Sequence, residues 1–176
     1  MLREHPGTAG VMYYYQSASD NNKTQNTVSE LMSIVSAVNG LYAGQQNYEA
    51  LNEAVLYNTS AVPENYKGAA NKITHPFGDE VNIGPVNNGA DGYYVLLKKI
   101  PKAACVNLAT MNFGTSMAGV GVGDIEKTIS GKKASQTLNA GTATAKAGTM
   151  YTGAFTPSQA SSVCTGDYNN IGYQLK

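Results

Sequence analysis

The sequence has few of the residues on which catalytic and nucleic-acid-binding proteins depend. Charged residues make up 14% of its 176 positions, and 12 basic side chains are balanced by 12 acidic ones. It contains no tryptophan, two histidines and a single arginine, Arg3. Because a chain with no net charge and no basic stripe has no electrostatic reason to bind polyanions, the composition argues against nucleic acid as a partner.

The scarcity of histidine also argues against an enzyme. His5 lies in an N-terminal segment without periodicity, and His75 lies in a turn-like context, so a Ser-His-Asp or Cys-His arrangement would depend on His75 alone. A structural role is therefore expected for His75, and no catalytic residue is predicted. Two cysteines and one remaining histidine are too few for a structural zinc site, and we expect neither a metal nor another cofactor.

Two further absences concern nucleotides and membranes. The glycine-rich segment 119–124 lacks the third glycine of a dinucleotide-binding loop and the Gly-Lys-Ser/Thr ending of a P-loop, so it is interpreted as a flexible connection or as a strand with bulges. No segment approaches the roughly 18 consecutive apolar residues of a membrane span. Residues 1–9 have no periodicity and are interpreted as a remnant of cloning.

The two cysteines, Cys105 and Cys164, are 59 positions apart, which fits neither a redox pair nor a zinc knuckle. The surface residues are mostly Asn, Ser, Thr, Tyr and Gly, a composition typical of proteins outside the cytoplasm, and this favours a long-range disulfide. Two independent buried thiols are the alternative.

A helix is predicted in the N-terminal third. Five apolar residues recur at spacings of three and four, and Met32, Ile34 and Leu41 widen this stripe to nearly half of the circumference. Thr27 to Glu30 match a capping box that would begin the helix at Val28, and Gly40 would end it. We expect the stripe to pack against a sheet: Val28, Leu31, Val35, Val38 and Tyr42.

The rest of the chain predicts short elements. A short helix covers residues 48–56, and a hairpin joins a strand at 81–83 to a strand at 93–100 through a turn at 87–92. A helix begins at Pro101, and loops dominate residues 112–155 apart from a strand near 125–129. A capping box at Thr156 to Gln159 begins a helix that carries Cys164, and a terminal strand alternates Ile171, Tyr173 and Leu175 with polar or small residues.

This order of features resembles the type IVb pilins, specifically the PilS-like major subunits of enteric thin pili. The resemblance is carried by residues 10–16, which look like the point where the pilin spine helix leaves the membrane, by the helical segment 28–41, by the turn at 60–63, and by the Cys105 and Cys164 pair. It covers residues 10–176. The cleavage site and hydrophobic helix half of such pilins are not in this sequence, which indicates an N-terminally truncated form.

The resemblance implies an α+β fold in which a long N-terminal helix packs on an antiparallel sheet. It divides residues 10–176 into a spine helix (10–42), a helix and loop region (43–78), a central hairpin with the start of a helix (79–104), a disulfide-bounded region (105–164) and a terminal strand (165–176) that joins the sheet out of sequence order. It also implies that the helix begins near Val11 rather than at Val28.

The implied function is structural, as a subunit of an extracellular filament that serves adhesion, bacterial aggregation or conjugation. Other pilin subunits are the expected partners, with a minor pilin or tip adhesin and a receptor on a host or recipient cell as further ones. Contact with the inner membrane would come only through the absent helix half, before assembly. A type II secretion pseudopilin and a secreted carbohydrate-binding or adhesin domain are the alternatives.

Overall fold

A six-stranded antiparallel sheet forms the centre of the computed structural model, which describes the backbone of residues 7–176 and the side chains of residues 19–176. The strands are β1 (Ile73–Thr74), β2 (Glu80–Pro85), β3 (Tyr93–Pro101), β4 (Met117–Val122), β5 (Tyr151–Thr152) and β6 (Tyr168–Leu175). The helices are α1 (Gly7–Leu41), α2 (Glu53–Tyr57), α3 (Lys102–Ala109), α4 (Glu126–Ile129) and α5 (Pro157–Val163).

The first helix, α1, has 35 residues and is therefore about 52 Å long. The capping-box prediction of a start at Val28 is wrong, because the Thr27 hydroxyl donates to the carbonyl of Lys23 at 2.7 Å inside the helix. Thr24 bonds the carbonyl of Asp20 in the same way at 2.8 Å. Each threonine hydroxyl thus bonds a carbonyl of the preceding helical turn, as in a helix interior, and does not cap a helix start. The long helix implied by the resemblance is present.

The strand order is β1-β2-β3-β6-β4-β5, so the C-terminal strand lies in the middle of the sheet. It pairs with β3 from Tyr93 opposite Leu175 to Pro101 opposite Tyr168, and with β4 on its other side. The predicted hairpin of β2 and β3 is formed. The terminal strand therefore joins the sheet out of sequence order, as the resemblance implied.

One face of the sheet carries the main core, in which α1, α3 and α5 participate. The Tyr173 side chain of the central strand is completely buried there, and its hydroxyl donates to the carbonyl of Leu108 in α3. The core includes residues from α1, α2, α3 and α5 and from the sheet: Leu31, Ile34, Val38, Leu56, Val95, Leu97, Cys105, Leu108, Val120, Val163, Ile171, Tyr173 and Leu175.

The opposite face of the sheet is also covered, which the sequence pattern does not predict. Segment 125–129, expected to be a strand, forms the short helix α4, and Ile125 and Ile129 pack against Leu96 in a second cluster. Gly172 permits this approach, because a side chain there would overlap the ends of both isoleucines. The sheet thus has a second, smaller core on this face.

Gln174 fastens this covering segment to the sheet. Its side chain is fully buried, whereas the alternation of β6 places it among the polar positions. The amide nitrogen donates to the carbonyls of Ile129 and Lys132 at 3.0 and 2.8 Å, and the amide oxygen accepts from the backbone N–H of Ala134 at 2.8 Å. One side chain therefore satisfies three backbone groups of a buried connection.

Residues 119–122 of the glycine-rich segment belong to strand β4, which has a register shift between Met117 and Gly119, and this matches the alternative of a strand with bulges. Helix α3 begins at Lys102, one residue later than expected, because Pro101 is still the last residue of β3. The capping box of α5 is formed by Thr156 and Gln159 as predicted, and Cys164 is the C-cap residue.

Candidate assembly surface

The disulfide connects helix α3 to the end of helix α5. Cys105 in α3 and Cys164 at the end of α5 are bonded, with their Cα atoms 5.8 Å apart. Both sulfur-bearing residues are buried in the main core. The crosslink therefore ties the helix after Pro101 to the helix after Pro157, and the alternative of two independent thiols is excluded.

Hydrogen bonds fix the loop inside this disulfide-bounded region. The Gln159 amide nitrogen donates to the carbonyls of Asn139 and Thr142 at 3.0 and 2.9 Å. The Ser162 hydroxyl accepts from the backbone N–H of Ala145 at 2.7 Å. Because two side chains of α5 hold the loop at three points, residues 139–145 form an ordered surface although they lack regular secondary structure.

Helix α1 uses only part of its apolar circumference to contact the domain. Leu31, Val35 and Val38 are buried, whereas Val28 and Tyr42 are half-buried. Met32 and Leu41 are exposed by 55% and 48%. Three of the five residues predicted to pack are thus buried and two only half-buried, while Met32 and Leu41 leave an apolar flank on the outside of the helix.

This flank forms one wall of an open groove of about 720 Å³. Its other wall is the turn after α2, and its lining consists of small and apolar neutral residues: Met32, Ser33, Ser36, Ala37, Gly40, Leu41, Thr59, Ser60 and Ala61. We call this surface the α1 groove. A groove of this kind has little to offer a charged ligand and can bury an apolar side chain.

The preceding part of α1 contributes little to the core. Of residues 19–26, only Thr24 is buried, and all eight are polar or small. A helical segment without an apolar face gains no stability from the hydrophobic effect, so its order depends on its continuity with the packed half or on further contacts. The segment is therefore free to contact other molecules along most of its circumference.

Glu30 is an exception on the buried side of α1. Its exposed fraction is 4%, and neither carboxylate oxygen has a hydrogen-bond partner among the residues that the structure describes. Burial raises its pKa to about 8, because the charged form loses its hydration. The side chain is thus protonated at neutral pH, and no pattern in the sequence distinguishes it from a solvent-exposed helical glutamate.

His75 has the structural role expected from its context. It is buried, its Nε2 lies 2.6 Å from the carbonyl oxygen of Lys98, and its Nδ1 accepts from the backbone N–H of Phe77 at 3.1 Å. This arrangement requires the neutral ring with its proton on Nε2. Burial lowers the pKa of His75, against the smaller raising effects of the Lys98 carbonyl and Asp79.

The described side chains contain no cluster of three or more histidine, cysteine or acidic residues that could hold a metal ion. Over the same part of the chain, no helix is both long and apolar enough to cross a membrane. His5 and the tyrosines at 13–15 lie outside the described side chains. The candidate contact surfaces of the described residues are residues 19–26 of α1, the α1 groove and the disulfide-bounded region.

Comparison with known proteins identifies two close relatives in sequence. The chain is 50% identical to the major structural subunit of bundle-forming pilus of Escherichia coli O127:H6 (strain E2348/69 / EPEC), over 96% of this chain and 85% of that protein. It is 49% identical to the protein of the same name from Escherichia coli O111:H-, with the same coverage.

The fold is similar to that of a solved pilin. TcpA, a type IV pilin from the El Tor biotype of Vibrio cholerae, aligns with a TM-score of 0.55 and 18% identity over 86% of this chain and 98% of that chain. The family model described as Bundlin matches residues 16–146. With this match over most of its length and two relatives at about half identity, the chain belongs to the Bundlin family and has the type IV pilin fold.

Proposed function

We propose that this chain is the major structural subunit of a type IV pilus of the bundle-forming kind. The observation that carries the proposal is the near full-length identity of about 50% to two major subunits of such pili. At this identity the fold is shared. The copies of the chain would thus be each other's main partners, in an extracellular filament.

The geometry suits a building block better than a catalyst. Buried His75 uses both ring nitrogens for structural hydrogen bonds, and side chains of α5 hydrogen-bond the loop of the disulfide-bounded region. Residues 19–26 of α1 offer a polar helix face to neighbouring copies. We infer a non-enzymatic role in which α1 forms the spine and the disulfide-bounded region faces outward.

The finer roles form part of the same proposal. The ordered outer surface at residues 139–145 is available for contacts between filaments, which would serve adhesion and bacterial aggregation. A minor pilin or tip adhesin and a receptor on a host or recipient cell would be further partners. Conjugation would require the same filament and no additional site on this chain.

Complementation tests the proposal. The host would be a strain with a type IV pilus system whose own major-subunit gene has been deleted, and it would receive the complete gene for this chain. Surface filaments would then be examined by electron microscopy with an antibody to the domain. We expect labelled filaments along their whole length. Label confined to filament tips would indicate a minor subunit, and domain exported without any filament would contradict the proposal.

A further inference from the structure

The charges of this neutral chain are unevenly distributed along it. Eight of its 12 basic residues lie between residues 92 and 176, together with three acidic residues. The fold gathers part of this excess in an open groove of about 440 Å³ between residues 127–136 and residues 148–150. We call it the lysine groove, because Lys127, Lys132 and Lys133 line it and, among the described side chains, no acidic one does.

The three lysines are available to a partner, since each is exposed and none takes part in the ion pairs formed among the side chains of residues 19–176. Of the acidic residues nearby, Asp124 does not line the groove, and Glu126 has its Oε1 atom 3.3 Å from Nζ of Lys98. Asp91 accepts at 3.4 Å from the backbone N–H of Lys133 and not from its ammonium group. Three like charges along one groove repel one another, and an anionic partner relieves this repulsion.

Both walls of the lysine groove are fixed to the sheet. On one wall, the Gln174 side chain binds the carbonyl of Lys132 and the N–H of Ala134. On the other wall, the N–H of Gly148 donates to the carbonyl of Val122 at 2.8 Å. The backbone of the groove is therefore in place before a ligand arrives, and binding costs less conformational entropy than it would at a flexible loop.

The lysine groove lies on the face of the sheet that α1 does not occupy. Met150 at its edge packs with Ile125 and Ile129 in the second core, whereas α1, α3 and α5 belong to the main core on the other face. In a filament with α1 as its spine, the second face points outward and each copy presents one groove. This repetition would strengthen binding to a long ligand through multivalency. The groove itself is a property of the single domain, and only its repetition rests on the proposed function.

We propose that the lysine groove binds an acidic polysaccharide, a chain of sugars that carries carboxylate or sulfate groups. The lysines pair with the anionic groups, and the hydroxyl and carboxamide groups of the lining hydrogen-bond the sugar hydroxyls. The lining has no arginine for bidentate binding of phosphate and no aromatic ring on which a base could stack, so nucleic acid is a poorer fit. The hydrogen-bonding side chains are Thr128, Ser135, Gln136 and Thr149.

Titration of the unassembled chain with a heparin-derived hexasaccharide, which carries both sulfate and carboxylate groups, tests the site. We expect saturable binding that weakens as salt is added, because exposed charges are screened. In NMR spectra, the backbone amides of residues 127–136 and 148–150 should shift. Shifts confined to other parts of the domain, or no binding at all, would overturn the proposal.

Paired substitutions separate the groove from the general charge of the domain. The double variant Lys132→Gln/Lys133→Gln should bind the hexasaccharide about tenfold more weakly. The matched control, Lys99→Gln/Lys102→Gln, removes the same charge at exposed positions outside the groove and should keep the affinity of the wild type. All four side chains are exposed, so both variants should unfold at the denaturant midpoint of the wild type. Equal losses of affinity in the two variants would refute the site.

Two further probes identify the ligand chemistry. Hyaluronan oligosaccharides carry carboxylates without sulfate, so their binding would show that carboxylates suffice, and binding of the hexasaccharide alone would assign the sulfates. Inorganic polyphosphate of equal charge has no sugar hydroxyls and should bind more weakly than the hexasaccharide. Equal or tighter binding of polyphosphate would contradict recognition of a polysaccharide. Because all these measurements use the unassembled chain, their failure would leave the proposed function intact, and a failure to form filaments would leave the groove intact.

Discussion

Replacing Glu30 by Gln should stabilise the domain at neutral pH and remove part of the pH dependence of its stability. The folded-state pKa of Glu30 is about 8, against 4.5 for the ordinary side chain. Below pH 4.5 the carboxyl is protonated in both the folded and the unfolded state, so its ionisation does not change the free energy of unfolding. As the pH rises from 4.5 to 8, the unfolded state gains by ionising while the folded state keeps its proton. At pH 7 this difference amounts to about 3 kcal/mol, at roughly 1.4 kcal/mol per pH unit.

The assay is guanidinium unfolding of wild type and Glu30→Gln between pH 4 and pH 8. The stability gained by the variant should be small at pH 4 and should grow to about 3 kcal/mol at pH 7. Glu49→Gln is the matched control, since Glu49 is exposed and should show no such growth. A gain that does not vary with pH would show that Glu30 ionises normally in the folded protein and would refute the reasoning.

Three further predictions concern other buried groups. Replacing both Cys105 and Cys164 by Ser should lower the free energy of unfolding by about 4 kcal/mol, since the bond closes a 59-residue separation, and equal denaturant midpoints would contradict this. In the Glu30→Gln background, the free energy of unfolding should fall as the pH drops below about 6.5. The reason is that His75 binds a proton in the unfolded state at this pH, whereas burial lowers its pKa in the folded state. An NMR titration that gives His75 a pKa at or above 6.5 in the folded protein would disprove this prediction. Gln174→Ala should cost about 3 kcal/mol by leaving buried backbone groups unpaired, and hydrogen exchange at the Ala134 amide should accelerate; unchanged exchange there would show that the anchor is dispensable.

The extent of α1 shows how far local patterns go. The apolar spacing predicts the packed half of the helix, because burial against a core imposes that period. The polar half has no such period, and a threonine followed three residues later by glutamate matches a cap as well as a helix interior. In the structure this segment is helix interior, because the hydroxyls of Thr24 and Thr27 bond carbonyls four residues earlier. Only the resemblance to long-helix pilins predicted this extent.

The second face of the sheet could not be predicted from alternation. A strand with polar and small residues at every second position is normally solvated on that face. In β6 these positions are Gly172 and Gln174, and both are buried because the connection after β4 folds back over them. The glycine permits the close approach of this connection, and the amide binds three of its backbone groups. Both roles depend on tertiary contacts, for which the sequence has no local signal. The same contacts convert residues 126–129 from an expected strand into α4.

The edges of the sheet restrict how copies of the domain can associate. Both edge strands, β1 and β5, contain two residues, and each also meets a neighbouring loop, through a bridge from Lys67 to Ile73 and a bridge from Gln136 to Tyr151. Short, partly covered edges offer too few free backbone groups to add a strand from another molecule. Polymerisation of this domain must therefore use side chains on its helices and loops. Contacts of this kind would allow the proposed filament to form without the risk of unregulated sheet growth.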